Sequence, residues 1–468
     1  MASLVIRTGR ADLSFDGIRT EFDLPPAFPP DVLAEAEEAV SRDPGDRPDL
    51  TSIPLVTIDP PGAKDLDQAL CVERTADGFT VHYAIADLGL FVTPGGALDT
   101  EVRDRGQTLY LPDGKVPLHP TVLSEGAASL LPNVTRPAVL WTFTCDTDAI
   151  PTEVQVRRAL VRSTAQFDYE SVQHSFDQGT PHPSVAALAE FGPLRRAYAR
   201  KRGAIELQLP EQEIEQHGEG WKLVTRPRTD VDAWNAEISL MTGMAAAEIM
   251  LEAKVGILRT LPTPDDDAVN SLRKSAAALN VPWPPNTSPG AFLADLDPTT
   301  PEALALFTDA TRLLRGAGYS AFTGSTPDLV THAGVAAPYT HVTAPLRRLV
   351  DRFATEVCLA VKANEELPPW LSEALPQLPS LMGSSDSLAA KVDRAATDQV
   401  EAWVLADHVG TEFDAVVLRA GDTEGDIFVS EPPVLAKCTG KNLPEGEKIR
   451  VRLAEADPVK RKVRFDKA

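Results

Sequence analysis

The stretch IDPPGAKDLDQAL, residues Ile58 to Leu70, decides how the rest of the chain is read. It carries Asp59, Asp65 and Asp67, and strand-like apolar runs flank it, PLVTI before and ALCV after. Two residues apart, Asp65 and Asp67 point to the same side of an extended chain. Asp59 joins them only if PPGAK turns, and Pro60, Pro61 and Gly62 are turn residues. Three gathered carboxylates repel and raise one another's pKa. A hard cation, Mg²⁺ or Mn²⁺, removes that penalty. Taken singly, each is an ordinary solvated loop aspartate, so the remaining sequence has to decide.

At 468 residues the chain exceeds one ordinary core, which predicts two or more domains. A hydrophobic fraction of 43% marks a globular protein, and 40 prolines predict many non-helical connections. There is no apolar run long enough to span a membrane. MASLVIRTGRADLSF lacks the apolar core and cleavage site of a signal peptide, which predicts a cytoplasmic protein. Cys71, Cys145, Cys358 and Cys438 are scattered, with no CxxC pair, and read as buried thiols. The net charge of −23 argues against a protein that coats nucleic acid through its overall charge. It leaves room for a locally basic channel.

Residues 1 to 50 read as a lead-in that packs on the larger domain after it. Within it DVLAEAEEAVSRD predicts a helix capped by Asp31, with Leu33, Ala36 and Val40 on its apolar face. PLVTID, QALCVER and FTVHYAIAD then read as strands, so the aspartate stretch joins two strands of a sheet. Arg103 and Arg105 come close to Tyr110 in sequence, a pairing suited to a phosphate and a base, although a lone tyrosine is more often core or rim. RPAVLWTFTCD and EVQVRRALVRSTAQF predict two more strands. Helices dominate the middle. The basic cluster from Arg195 to Arg202 reads as a solvated helix face. DAWNAEISLMTGMAAAEIMLEAKVG predicts a helix capped by Asp232, with Glu237, Met241, Met244 and Glu248 on one stripe. Glu237 there is either at the stripe's edge or turned into a site. In YTHVTAPLRRLVDRF the Arg347–Arg348 pair opens a helix-like run, where Arg347 is either a surface residue or a fork for a phosphate. After residue 408, about five short strands suit a small OB-type barrel.

IDPPGAKDLDQAL, YAIADLGLFV, TLYLPDGKVPLHPTVLSEGAASLLP, RGAIELQLPE and YTHVTAPLRRLVDRF, in that order, resemble the successive signatures of the RNB catalytic domain of the ribonuclease II and ribonuclease R family. The resemblance covers about residues 50 to 400, and the C-terminal segment resembles an S1-type OB-fold. It implies an α+β protein: a 1–50 lead-in, a 51–400 RNB catalytic domain of mixed β-sheet surrounded by helices, and a 401–468 all-β S1-type barrel. The family usually begins with two cold-shock domains. Fifty residues are too few to hold them, so the pair is expected to be absent.

The resemblance further implies a 3′→5′ exoribonuclease that uses Mg²⁺, or Mn²⁺, to release nucleoside 5′-monophosphates from single-stranded RNA. The metal ligands would be Asp59, Asp65 and Asp67, with Gln68 standing where the family has a fourth aspartate. Asp67, Arg347 and Glu237 would be catalytic. Tyr110, Tyr169 and Arg347 would bind RNA. Leu207 stands where the family often has a clamping aromatic, which implies a looser base clamp. His341 is taken as structural. The implied partner is an RNA 3′ end, with no DNA, no membrane and a monomeric chain. Two rivals stay open: a catalytically silent RNB-type RNA-binding protein, and an unrelated phosphohydrolase for small molecules.

Overall fold

A computed structural model describes residues 14–209, 211–217, 220–226 and 228–468. Residues 1–13, most of the stretch read as lacking a signal peptide, lie outside them, as does Pro210 of RGAIELQLPE. The lead-in contributes α1 (Asp16–Glu21) and α2 (Pro30–Ala39). Pro29, not Asp31, precedes α2, and Asp31 lies in its first turn. The buried face is Val32, Ala36 and Ala39, while Leu33 and Val40 are exposed. The helix starts at Pro30, a residue suited to a first turn, and the face it turns to the core is one residue off the expected one.

Five strands follow in two groups: β1 (Leu55–Ile58), β2 (Gln68–Thr75) and β3 (Gly78–Ala86), then β6 (Thr135–Cys145) and β7 (Pro151–Phe167). Between the groups lie α3 (Ala97–Arg105) and the hairpin β4 (Leu109–Leu111) and β5 (Gly114–Val116). The order β1-β2-β3-β6-β7 closes into a barrel because β1 also pairs in parallel with the end of β7. Val81, Tyr83 and Ile85 face the main core, and Ala84 belongs to a second cluster drawn from all five strands. Both faces of the sheet are therefore dry, which is why β3 is more apolar than a half-exposed strand requires.

Helices α4 (Tyr169–Asp177) and α5 (Leu188–Arg202) lead to the hairpin β8 (Glu211–His217) and β9 (Gly220–Arg226), then to α6 (Asp230–Ala253). Thr229 caps α6 in a capping box whose third helical residue is Asp232, so Asp232 supports the cap instead of being it. Helix α6 is apolar nearly all round and is buried accordingly. At Gly243 a Cβ would meet the Tyr339 ring at 2.2 Å and the Thr340 carbonyl at 2.5 Å. Glycine there lets the segment leading to Arg347 lie directly on α6.

Next come β10 (Val255–Thr260), α7 (Asp266–Ala278), α8 (Pro289–Ala294), α9 (Pro301–Ala310) and β11 (Gly318–Thr323), which pairs with β10. The short pair β12 (Thr331–His332) and β13 (Ala337–Pro338) precedes α10 (Leu349–Ala363), α11 (Pro369–Ala374) and the long α12 (Leu378–Leu405). Strands β14 (Glu412–Ala420), β15 (Glu424–Ser430), β16 (Pro433–Thr439), β17 (Lys448–Asp457) and β18 (Lys462–Lys467) close the second barrel. All four cysteines are buried and free. Among the described residues no helix is long and apolar enough to cross a membrane.

Candidate active site

The Ile58–Leu70 stretch is pinned at three points. The Asp59 N–H bonds the Phe167 carbonyl at the end of β7 (3.0 Å). Pro60 to Ala63 form a turn closed by the Ala63 N–H on the Pro60 carbonyl, and Gly62 at φ +80° supplies the left-handed residue that this turn needs. Ser129 then straddles the chain, taking the Leu66 N–H and donating to the Lys64 carbonyl. The expected turn exists, and it returns the chain to β2, which Gln68 begins.

Asp67 is 3% exposed. One oxygen, Oδ1, accepts the Leu346 N–H at 2.7 Å, and Arg347 Nε lies 3.6 Å from Oδ2. Burial drives the Asp67 carboxyl well above the usual carboxylate range, against the pull of Arg347 and the Leu346 N–H. Burial also pushes Asp59 up to about 7, against the Thr57 hydroxyl and the pull of Arg347, with the Asp65 charge adding to the effect. Asp59 Oδ2 is buried with no hydrogen-bond partner. An orphaned carboxylate oxygen on Asp59, in a neighbourhood where Asp59 and Asp67 both feel the charges of Asp65 and Arg347, fits a hard divalent cation.

Asp65 differs. Lys115 Nζ lies 2.9 Å from its Oδ1, and the Tyr110 hydroxyl donates to its Oδ2 at 3.4 Å. Gln68 turns its amide nitrogen onto the Thr343 carbonyl. Among the described residues no three His, Cys, Asp or Glu side chains converge as a ready-made metal cage. The aspartates therefore share one electrostatic neighbourhood without all three meeting at a point.

Arg347 stands two residues before α10, which Leu349 begins with Arg348 as its N-cap. It is held by the Thr108 N–H on its carbonyl, so the base of the Tyr110 hairpin and the arginine are registered to each other. Thr108, Tyr110, Arg347, Arg348, Val392 and Asp393 line a recess of about 210 Å³. Tyr110 is 51% exposed, free to present its ring. Arg103 and Arg105 are spent elsewhere, on Asp99 and on Glu101 with two carbonyls.

Tyr169 opens α4, and its hydroxyl accepts from Asn235 Nδ2 on α6 at 3.3 Å. Glu237, two residues beyond Asn235, is buried 3.8 Å from Arg195, and burial raises its pKa. Arg195 is fully buried, so the basic cluster is not a purely solvated face: its first member turns inward to Glu237 and Ala149. Glu237 also lines a larger cavity of about 520 Å³ with Arg196, Arg200, Arg202 and His332, which holds none of the three aspartates. Leu207 packs against the satellite core of α7, α8 and α9. His341 bonds the Tyr319 hydroxyl at 2.7 Å inside an aromatic group with Tyr339. Sequence reading missed the Leu346 N–H, Asn235 and the Lys115 ion pair. Only Lys115 left a signal, as a charge in the same hairpin as Tyr110.

The sequence model of the RNB domain matches residues 47–361, and that of the RNase II-type exonuclease C-terminal S1 domain matches residues 411–468. Ribonuclease R of Escherichia coli (strain K12) is 26% identical over 491 residues, covering 94% of this chain and 60% of the relative. "Inactive exonuclease DIS3L2" of Arabidopsis thaliana is 31% identical over 371 residues, covering 71% of this chain and 34% of the relative. The apo form of Mycoplasma genitalium RNase R superposes with a TM-score of 0.86 at 20% identity, covering 97% of this chain and 77% of that one. The chain spans between 60% and 63% of the length of two Ribonuclease R relatives that it matches. The chain therefore belongs to the RNB-domain family, with a C-terminal S1 domain of the RNase II type.

Proposed function

We propose that this chain is a 3′→5′ exoribonuclease that hydrolyses single-stranded RNA to nucleoside 5′-monophosphates in the cytoplasm. The observation that carries the reading is the pair Asp67 and Arg347. A buried carboxylate is fixed by a backbone N–H on one oxygen, and a half-exposed arginine faces the other. Asp59 and Asp67 would hold a divalent cation, Mg²⁺ foremost and Mn²⁺ as substitute. When bound, that ion supplies Lewis acidity and lowers the pKa of water.

The chain's own residues do the rest. Asp67 orients the attacking water. Arg347 lays its planar fork on the scissile phosphate and neutralises charge that develops there. Tyr110 stacks on a terminal base, worth roughly 1–3 kcal/mol. Tyr169, held by Asn235 and within the influence of Asp59 and Arg347, flanks the place where the 3′-terminal sugar would lie, and a 2′-hydroxyl gives it a handle for RNA over DNA, while Glu237 would act from the neighbouring cavity that it lines. Water adds to phosphorus, the 3′ oxygen of the preceding nucleotide leaves with a proton, and a nucleoside 5′-monophosphate is freed.

The test is a 5′-end-labelled RNA incubated with Mg²⁺ and the full chain, with mass analysis of the products. A ladder shortening from the 3′ end with 5′-monophosphates is expected. Internal cuts or 3′-phosphates would sink the proposal, as would decay no faster than that of Asp67→Asn, which would favour a silent RNA-binding protein.

A further inference from the structure

The recess beside Arg347 is lined by polar side chains that are nearly all engaged. Gln107 donates to Asp386, and Thr108 accepts the Leu118 N–H. The Tyr110 hydroxyl donates to Asp65, Arg347 faces Asp67, and Arg348 forks onto Asp351. Asp393, on the α12 wall of the same recess, is exposed and has no hydrogen-bond or ion-pair partner among the described residues.

The packing of α12 fixes its place. A Cβ on Gly106 would meet the Ser385 Cβ at 2.5 Å, so the base of the hairpin lies directly on the helix. Asp386 takes Arg259 at 2.8 Å and Gln107 at 3.4 Å, which turns that face of α12 toward the hairpin. Asp393 follows two turns later on the same face. Its neighbour Val392 is buried in one cluster with Leu109 and Leu111 of β4. Asp393, Tyr110 and Arg347 therefore border a single recess of about 210 Å³, room for one base.

A carboxylate beside an arginine that is to hold a phosphate repels every nucleic acid alike, unless it meets a donor on some of them. It accepts hydrogen bonds and donates none. The bases differ in what their pairing edges offer it. Guanine presents a pair of parallel donors, N1–H and the 2-amino group, which match the paired oxygens of a carboxylate. Adenine and cytosine offer an amino group beside a ring acceptor. Uracil offers N3–H between two carbonyl oxygens, which the carboxylate repels.

We infer that Asp393 reads the 3′-terminal base, accepting hydrogen bonds from the edge of the base that stacks on Tyr110, so that this chain favours a terminal guanine and disfavours a terminal uracil. The inference rests on the RNA reading of Tyr110 and Arg347 above and adds a residue that determines specificity.

Fluorescence anisotropy on the full chain tests it, with 5′-labelled single-stranded RNAs that differ only in the 3′-terminal nucleotide, in EDTA so that nothing is cleaved. The wild type should bind the guanine end about tenfold tighter than the uracil end, the low end for a paired base contact. Asp393→Ala should bring the ends level. Asp393→Asn, equal in size but with a donor in place of one acceptor, should lose the guanine preference too. Equal binding of all ends by the wild type, or a guanine preference that survives in either variant, would overturn the inference. The ratio between ends also separates base reading from a structural role, because loss of fold weakens all ends together. A chain that prefers guanine in EDTA yet cleaves nothing with Mg²⁺ loses the proposed function and keeps this inference. One that cleaves from the 3′ end but binds all ends alike does the reverse.

Discussion

The Arg19 guanidinium holds both oxygens of Asp113, at 2.6 and 2.9 Å. Asp113 lies in the turn of the β4–β5 hairpin, whose strands carry Tyr110 and Lys115. Arg19 stands on α1, and the preceding Phe15 is buried with its ring against Trp221 of β9 and Trp403 of α12. The lead-in thus braces the hairpin that reaches Asp65. A two-pronged, partly exposed ion pair of this kind contributes about 1 kcal/mol. Arg19→Ala is expected to raise KM for single-stranded RNA several-fold while kcat changes less. Steady-state kinetics beside a melting curve check it. A lower melting point with unchanged KM would make the pair structural only.

Arg347 is the second case. Its side chain is 49% exposed, so replacing it empties no core. Arg347→Lys keeps the charge but loses the planar fork. A loss of about 100-fold in kcat is expected, typical of removing one donor to a developing oxyanion, with the melting point unchanged. Wild-type kcat in the lysine variant would remove Arg347 from the chemistry.

What was legible in the sequence depends on the range of the interactions. The aspartate turn could be read because Pro60, Pro61 and Gly62 act on their neighbours. The strands and the second barrel could be read from alternation and turn spacing. Closure of the first barrel could not, since it depends on β1 pairing in parallel with a strand about 110 residues later. The fixing of Asp67 was equally hidden. Its partner is a backbone N–H, and every residue except proline carries one, so Leu346 leaves no mark. Arg195 misled for a different reason. A basic run normally stays in water, and only the fold shows Glu237 waiting inside.

His119 tests the support beneath Asp67. Its buried ring bonds the Leu346 carbonyl through Nδ1 at 3.1 Å, while the N–H of the same residue holds Asp67. Burial lowers the His119 pKa from 6.5 to about 4. Between those values the unfolded chain binds the proton and the folded chain does not, so stability falls as pH drops through that window. At about 1.4 kcal/mol per unit, the loss is on the order of 3 kcal/mol when complete. His119→Asn should flatten that slope relative to the wild type. Urea midpoints from neutral pH down to about pH 5, taken as the difference between the two proteins, measure it. Parallel curves would show that His119 contributes nothing to acid sensitivity.

Asp59 predicts the opposite sign. Its carboxyl is raised from 3.8 to about 7, chiefly by burial. Between those values the folded chain keeps a proton that the unfolded chain has lost, so stability without metal falls as pH rises through the window and stays low above it. The gap corresponds to on the order of 4 kcal/mol. Asp59→Asn removes the buried charge. Above pH 7 and without divalent ions the variant should melt higher than the wild type, although it should lose RNA hydrolysis. Adding Mn²⁺ should raise the wild-type melting point, because an ion that binds only the folded state stabilises it, and should leave the variant unmoved. A variant that melts lower than the metal-free wild type at alkaline pH would mean that Asp59 is held by protein partners after all and is not a carboxylate kept in strain for a cation.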